Sequence, residues 1–223
     1  MLAIVQARMS SERLRGKVLK LLGKKTLLEW VIDNTNKSKY IKKIIIATSL
    51  NHDDDRILKF CKKKKIECYR GSLNNVYLRF VKVIKKNKAS SFIRITADSP
   101  FIDPSLIDYG IKLYNSGKYD MVTNTFQRSF PKGQSFSIHN SNKFVNNLKN
   151  IKSKNHKEHI TPFFYENSKK FKIKNIFYNS NQSLLNMSVD TKDDLKKARK
   201  IEKKLKIIKK KNYLSNLIKL YTK

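Results

Sequence analysis

Leu2-Ala-Ile-Val-Gln-Ala-Arg-Met-Ser-Ser-Glu-Arg-Leu-Arg-Gly-Lys17 decides the fold. Residues 2–5 are a short apolar run. Residues 10–17 are polar and basic, with one glycine at Gly16. A buried strand opening into such a loop begins a strand–loop–helix unit. The helix follows at 26–37, where Leu27, Leu28, Val31 and Ile32 recur at helical spacing.

The unit then repeats. Residues 44–47 read as a buried strand, and 53–63 as a helix with Ile57, Leu58 and Cys61 inward. Residues 66–69 read as a strand, and 76–86 as a helix with Tyr77, Phe80, Val81 and Ile84 on one face. Phe92-Ile-Arg-Ile95 is a strand halted by Thr96-Ala-Asp-Ser-Pro100. Alternation at intervals of about 20–25 residues implies crossover units, so the expected class is α/β, a largely parallel sheet with helices on both faces. Ligands of such sheets bind at the carboxyl ends of the strands. There lie residues 6–17, Thr48, Arg70-Gly71 and Asp98. The second half is less regular. Strands are expected at 119–124, 136–139 and 171–177, a loop at 126–133 and a helix near 141–148. A very basic helix is expected from Asp193 to Leu220, with Leu195, Ala198, Ile201, Leu205 and Ile208 as its apolar stripe.

The 223 residues suit one domain, or one domain with an appendage. Apolar residues at 39 % exclude a disordered chain. Two cysteines, Cys61 and Cys68, exclude a disulfide framework and argue against a zinc ribbon. The longest strongly apolar stretch, 44–50, is far short of the ~20 residues of a membrane span, and the N-terminus lacks the basic start of a signal peptide. A soluble cytoplasmic protein is expected. The net charge of +33 invites a nucleic-acid partner. Yet only 9 of the 50 basic residues are Arg, the residue that reads base edges and grips phosphates bidentately. Lys, Asn and Ile are all high, as codon drift in an AT-rich genome produces. Runs such as 62–65 and 209–211 read as solvated surface.

Two constellations carry chemistry. Arg8, Arg13 and Lys17 lie within ten residues, beside Ser10, Ser11 and Gly16, and suit a polyphosphate. The competing reading is a basic surface loop, and the pattern is neither a P-loop nor G-x-G-x-x-G. Asp98 and Asp190 each follow an apolar run, and carboxylates at two strand ends can share a Mg²⁺ that also holds a triphosphate. Alternatively, Asp190 or Thr191 caps the helix that begins near Asp193.

Over residues 2–19 the chain resembles the cytidylyltransferases that make CMP-activated sugars, in the branch of the spore-coat polysaccharide biosynthesis protein F type. Enzymes activating 3-deoxy-manno-octulosonate and acylneuraminate are more distant relatives. The resemblance continues through Ile46-Ala-Thr-Ser-Leu-Asn51, Tyr69-Arg-Gly-Ser72, Val76-Tyr-Leu-Arg-Phe80 and Arg94-Ile-Thr-Ala-Asp-Ser-Pro-Phe-Ile-Asp-Pro104. Thr123-Asn124, Phe130-Pro-Lys-Gly133, Lys157-Glu-His-Ile-Thr-Pro162 and Ser188-Val-Asp-Thr191 follow in order, so the match spans residues 2–200. It implies a nucleotide-diphospho-sugar transferase-like, Rossmann-like three-layer sandwich. It implies a nucleotidyltransferase domain at 1–200 and leaves 201–223 as a basic C-terminal helical extension. The implied reaction is CTP plus a sugar acid giving CMP-sugar and pyrophosphate, in the service of surface polysaccharide. Arg8, Arg13 and Lys17 stand where the family holds the triphosphate, and residues 3–7, Ala7 among them, where it reads cytosine. Ser11 belongs to the same nucleotide-binding loop, and Asp98 and Asp190 stand where it holds Mg²⁺. Arg8, Lys17, Asp98 and Asp190 are thus the expected catalytic set, with Arg70 and Arg79 near the base and sugar end. A homodimer through the second half is also implied. The acceptor's proton would go to Asp190 or to a metal-bound hydroxide.

The sequence departs from the family at Arg15, where relatives carry Pro, and at Ala97, where they carry Gly. Ser135 and Ser137 replace an acidic pair on the acceptor side. Arg128 and Lys132 suit a sugar carboxylate there, or are simply loop surface. His159 suits a sugar contact, whereas zinc at His156 and His159 lacks further ligands. Two other readings compete. A transferase using a nucleotide-sugar donor shares the fold, but no D-x-D outside Asp53-Asp-Asp55 supports it. A non-catalytic basic protein on RNA or lipid would use the C-terminal helix, but the aromatics do not interleave with the basic runs.

Overall fold

The computed structural model describes residues 1–205 and 212–222. Its strands are β1 (Leu2–Gln6), β2 (Leu21–Leu22), β3 (Lys25–Thr26), β4 (Lys43–Ser49), β5 (Glu67–Gly71), β6 (Ser91–Thr96), β7 (Met121–Thr123), β8 (Ser137–Asn140) and β9 (Ile173–Asn175). The helices are α1 (Leu27–Asn36), α2 (Asp55–Lys63), α3 (Val76–Asn87), α4 (Pro104–Ser116), α5 (Ser141–Asn146), α6 (Lys154–Glu158), α7 (Pro162–Glu166), α8 (Lys192–Lys204) and α9 (Tyr213–Thr222). Seven strands form one sheet in the order β5-β4-β1-β6-β8-β7-β9, while β2 and β3 form a separate hairpin. Only β8 runs against its neighbours, so the sheet is mainly parallel, as the alternation requires.

Period-two alternation sorts the side chains of β1 onto two faces. Ala3 and Val5 join Ile46, Ile93 and Ile95 under α1, α2 and α4. Leu2 and Ile4 join Ile45, Ala47 and Phe92 under α3, α5 and α7. The result is the expected three-layer sandwich. Ile4 and Val5 are fully buried, and such a side chain contributes about 1.5–3 kcal/mol by leaving water. α1 starts where it does because Thr26 and Glu29 form a reciprocal capping box.

Three differences from the sequence reading have physical causes. The sequence periodicity does not show α4, because Gly110 breaks its apolar stripe. A Cβ there would lie 2.5 Å from the Phe136 ring, so glycine lets the helix lie close on β8. The long C-terminal helix is two helices, α8 and α9, and Ile208 and residues 209–211 lie outside the described residues. Leu217 and Tyr221 of α9 are buried with Leu22, Leu27 and Phe101 in a third apolar cluster, which also takes Leu195, Ala198 and Ile201 of α8. The stretch expected as an extension therefore packs on the body of the domain.

Candidate active site

The loop after β1 is tied down from beneath. Asp54, buried at the start of α2, accepts the Met9 N–H at 2.7 Å and the Ser49 N–H at 3.1 Å, and the Ser49 hydroxyl as well. One carboxylate thus fixes the loop to the end of β4. Lys17, in a short 3-10 turn (Lys17–Leu19), is 8 % exposed, and its ammonium points into the space beyond β1 and β6.

Asp190 arrives from the other side, carried by residues 185–189. Lys132 N–H donates to Leu185 C=O, Met187 N–H to Lys132 C=O, and Val189 N–H to Asp98 C=O. That last bond sets the two aspartates side by side. Gly133 lets the strip pass: its φ is +91°, and a Cβ would lie 2.6 Å from the Met187 carbonyl carbon. The helix cap belongs to Thr191, whose side chain accepts the Asp194 N–H, so Asp190 is free for the site. Asp194 in turn accepts the N–H groups of Asp190 and Thr191 at 3.0 and 2.8 Å. It also accepts the Asn186 amide at 3.0 Å, and so holds Asp190 in place.

Lys17 Nζ lies 2.9 Å from Asp98 Oδ2 and 2.7 Å from Asp190 Oδ1. Burial pushes the ammonium down, but the charge of Asp98 and bonds to both carboxylates outweigh it and hold Lys17 above the ordinary lysine value. Burial pushes Asp190 up, but Lys17, then Arg13 and Ser188, hold it below the usual carboxylate range. Arg13 reaches Asp190 at 3.3 Å, and Arg8 pairs with Glu158 at 2.5 Å. Arg8, Ser11, Arg13, Lys17, Asp98 and Asp190 thus line one cleft of about 430 Å³, together with Gln6, Glu158 and His159.

Arg70, Arg79 and Ala7 are not in that lining. Arg70 donates to the carbonyls of Ser49 and Asn51 and pairs with Asp55 at 2.7 Å. Arg79 is buried and donates to the carbonyls of Ser72, Leu73 and Ala47. Both guanidinium groups are bonded to backbone carbonyls at strand ends. The Ala7 N–H is bonded to Ala47 C=O. His156 pairs with Glu166, away from His159, and the described residues hold no cluster of three or more metal-ligating side chains.

Arg94, to which the sequence pattern assigns no role, also lines the cleft. Its signal was a scarce arginine inside the apolar run 92–95. It donates to Gln6 Oε1 at 3.3 Å, and its buried Nε has no hydrogen-bond partner. Burial lowers its pKa, partly offset by Asp98. It also lines a second cavity of about 330 Å³ with Thr96, Asp98, Arg128, Lys132 and Ser135. Ser135 accepts from Arg128 at 3.0 Å. Ser137, expected beside it, is instead buried in β8 against His139 at 2.9 Å. Burial, then Arg94, pushes that histidine down to about 3.

The two cavities share Arg94, Thr96 and Asp98; Arg8, Arg13 and Lys17 line the first, and Arg128 and Lys132 the second. A family model described as Cytidylyltransferase matches residues 2–222. The chain belongs to the cytidylyltransferase family. It is similar to the spore coat polysaccharide biosynthesis protein SpsF of Bacillus subtilis, 32 % identical over 86 % of this chain and 82 % of that protein. It is 31 % identical to the 3-deoxy-manno-octulosonate cytidylyltransferase of Solibacter usitatus, over 49 % of this chain and 43 % of that protein. A cytidylyltransferase from Leptospira borgpetersenii superposes with a TM-score of 0.89 at 27 % identity, covering 99 % of this chain and 92 % of that one. The family match extends past the expected end at residue 200 and takes in α9. This chain is thus a CTP-dependent nucleotidyltransferase, and the donor-sugar and basic-surface readings fall away. Among the described residues no helix is long and apolar enough to cross a membrane.

Proposed function

We propose that this cytidylyltransferase transfers CMP from CTP to a sugar acid, with Mg²⁺, and that the product serves surface-polysaccharide assembly. The observation that carries the reading is the junction at Asp98: the cleft holding Arg8, Arg13 and Lys17 meets a cavity whose cations, Arg94, Arg128 and Lys132, suit an acceptor carboxylate.

The residues fit a divalent ion, because Asp98 and Asp190 already enclose one cation, the Lys17 ammonium, between two carboxylate oxygens. They would hold the ion with triphosphate and water oxygens completing its shell. When bound, Mg²⁺ supplies charge neutralisation on the phosphates. Lys17, Arg8 and Arg13 grip the β- and γ-phosphates. Arg94 and Arg128 orient the acceptor so that its hydroxyl oxygen faces the α-phosphorus. The acceptor O–Pα bond forms, the bond from Pα to the oxygen bridging Pβ breaks, pyrophosphate leaves with that oxygen, and the hydroxyl proton is released to water. The protein's work is alignment and electrostatic stabilisation, where one well-placed contact is worth about 3–4 kcal/mol in the transition state. A homodimer through the second half, where Phe177 and Leu184 stand exposed, belongs to the same reading. Light scattering tests it.

The experiment offers CTP, UTP, ATP and GTP with Mg²⁺ and a panel of sugar acids, neutral sugars and sugar phosphates, reading pyrophosphate release and product mass. Turnover with CTP and a sugar acid, lost in Asp98→Asn, is expected. Turnover only with a neutral or phosphorylated sugar would overturn the acceptor class.

A further inference from the structure

Every cleft cation of the triphosphate loop is already neutralised from within: Arg8 by Glu158, Arg13 by Asp190 and Lys17 by both aspartates. Lys17 is the most buried of the three, with its side chain 10 % exposed against 39 % for Arg8 and 67 % for Arg13. Its ammonium sits between the two carboxylates that the reading above assigns to the metal, and the inference rests on that assignment. We propose that Lys17 is the resident cation of the Asp98–Asp190 pair in the nucleotide-free enzyme and denies that pair to divalent ions until a polyphosphate draws it away.

The argument is one of charge and space. Two half-buried carboxylates bonded to one ammonium, 26 % and 24 % exposed, are held together by the cation between them. An ammonium within hydrogen-bond distance of both fills the volume a divalent ion would need. Lys17 leaves only for a partner of comparable charge, and a triphosphate carrying about four negative charges is such a partner. The four-carbon stem lets the ammonium move while its backbone stays fixed in the turn. The metal pair is therefore made available by nucleotide binding, and coupling of this kind is reciprocal.

The test uses Mn²⁺ without nucleotide, with the free-ion paramagnetic resonance signal as readout, on wild type, Lys17→Met and Lys17→Gln. The Gln variant keeps an N–H donor for the carboxylates without the charge, so it guards against a Met variant that fails to fold. Wild type is expected to bind Mn²⁺ at least about tenfold more weakly than either variant. Millimolar Mn²⁺ is expected to raise the melting temperature of the variants and leave that of wild type unchanged. Adding Asp98→Asn to Lys17→Gln is expected to abolish the gain. Equal Mn²⁺ affinity in wild type and both variants, lost with Asp98→Asn, overturns the gating role while leaving the metal pair intact. Mn²⁺ binding indifferent to Asp98→Asn in every background overturns the metal assignment itself.

Discussion

Asp53, Asp54 and Asp55 are adjacent in sequence, and the structure gives them unlike work. Asp53 pairs with exposed Arg15, and Asp55 with Arg70. Only Asp54 is buried, and it clamps the phosphate loop to the end of β4. In Asp54→Asn the single carbonyl oxygen can serve Met9 or Ser49, not both. Facing Ser49, it sets its own NH₂ against the Met9 N–H, now 2.7 Å from an acceptor. A buried donor left unsatisfied costs about 1–3 kcal/mol, and each retained bond loses about 1 kcal/mol with the charge, so the total is about 3–5 kcal/mol. For a chain of this size that lowers the melting temperature by about 6 °C at least. The loop that carries Arg8 and Arg13 loosens with it, so KM for CTP is expected to rise more than kcat falls. Urea unfolding and steady-state kinetics of Asp54→Asn beside Asp53→Asn measure both effects. Equal unfolding midpoints for the two variants, or an unchanged KM for CTP in Asp54→Asn, would refute the clamp.

Gly133→Ala is expected to cost about 1–3 kcal/mol in backbone strain. Because it pushes on the strip that carries Asp190, it should lower kcat about 100-fold, which kinetics beside thermal melts would separate from unfolding. Arg128→Ala should raise KM for the sugar acid and leave KM for CTP unchanged, read by varying each substrate in turn. Lys17 is raised above its unfolded value near 10.4. Its stabilisation is therefore fully present below that pH and lost as pH rises through the higher folded value. Urea midpoints between pH 9 and 12 should fall more for wild type than for Lys17→Met. Asp190 is depressed below its unfolded value near 3.9. Its stabilisation is present above that pH and lost as pH falls through the lower folded value, so Asp190→Asn should flatten the fall in urea midpoints measured from about pH 5 down to about pH 2.

The fold was legible wherever burial is two-sided. β1, β4 and β6 announce themselves as apolar runs because helices cover both their faces, and α1, α2 and α3 because one face of each meets the sheet. Legibility fails where packing overrides pattern: α4 hides behind Gly110, and α9 is separated from α8 by a lysine run that looks like surface. In the candidate site, Asp98 follows from its place just past β6, and Arg8, Arg13 and Lys17 from the loop that leaves β1. Asp190 needed the strip at residues 185–189 to be placed, because a carboxylate before a helix looks alike whether it caps or coordinates. The structure gives the cap to Thr191. Arg70 and Arg79 sit at the right positions along the chain, yet the carbonyls at the strand ends claim their guanidinium groups. No one-dimensional pattern shows that the guanidinium of a strand-end arginine is taken up by backbone carbonyls.

Charge illustrates the same gap at the scale of the whole chain. The sequence carries a net +33, but the cleft itself sets Arg8, Arg13, Lys17 and Arg94 against Glu12, Asp98, Glu158 and Asp190. The site is balanced, and the excess lies outside it. Long-range attraction to any polyanion follows from the excess and fades with salt. Selectivity follows from the balance. A ligand must replace several carboxylates at once, over a few ångströms, to free these cations.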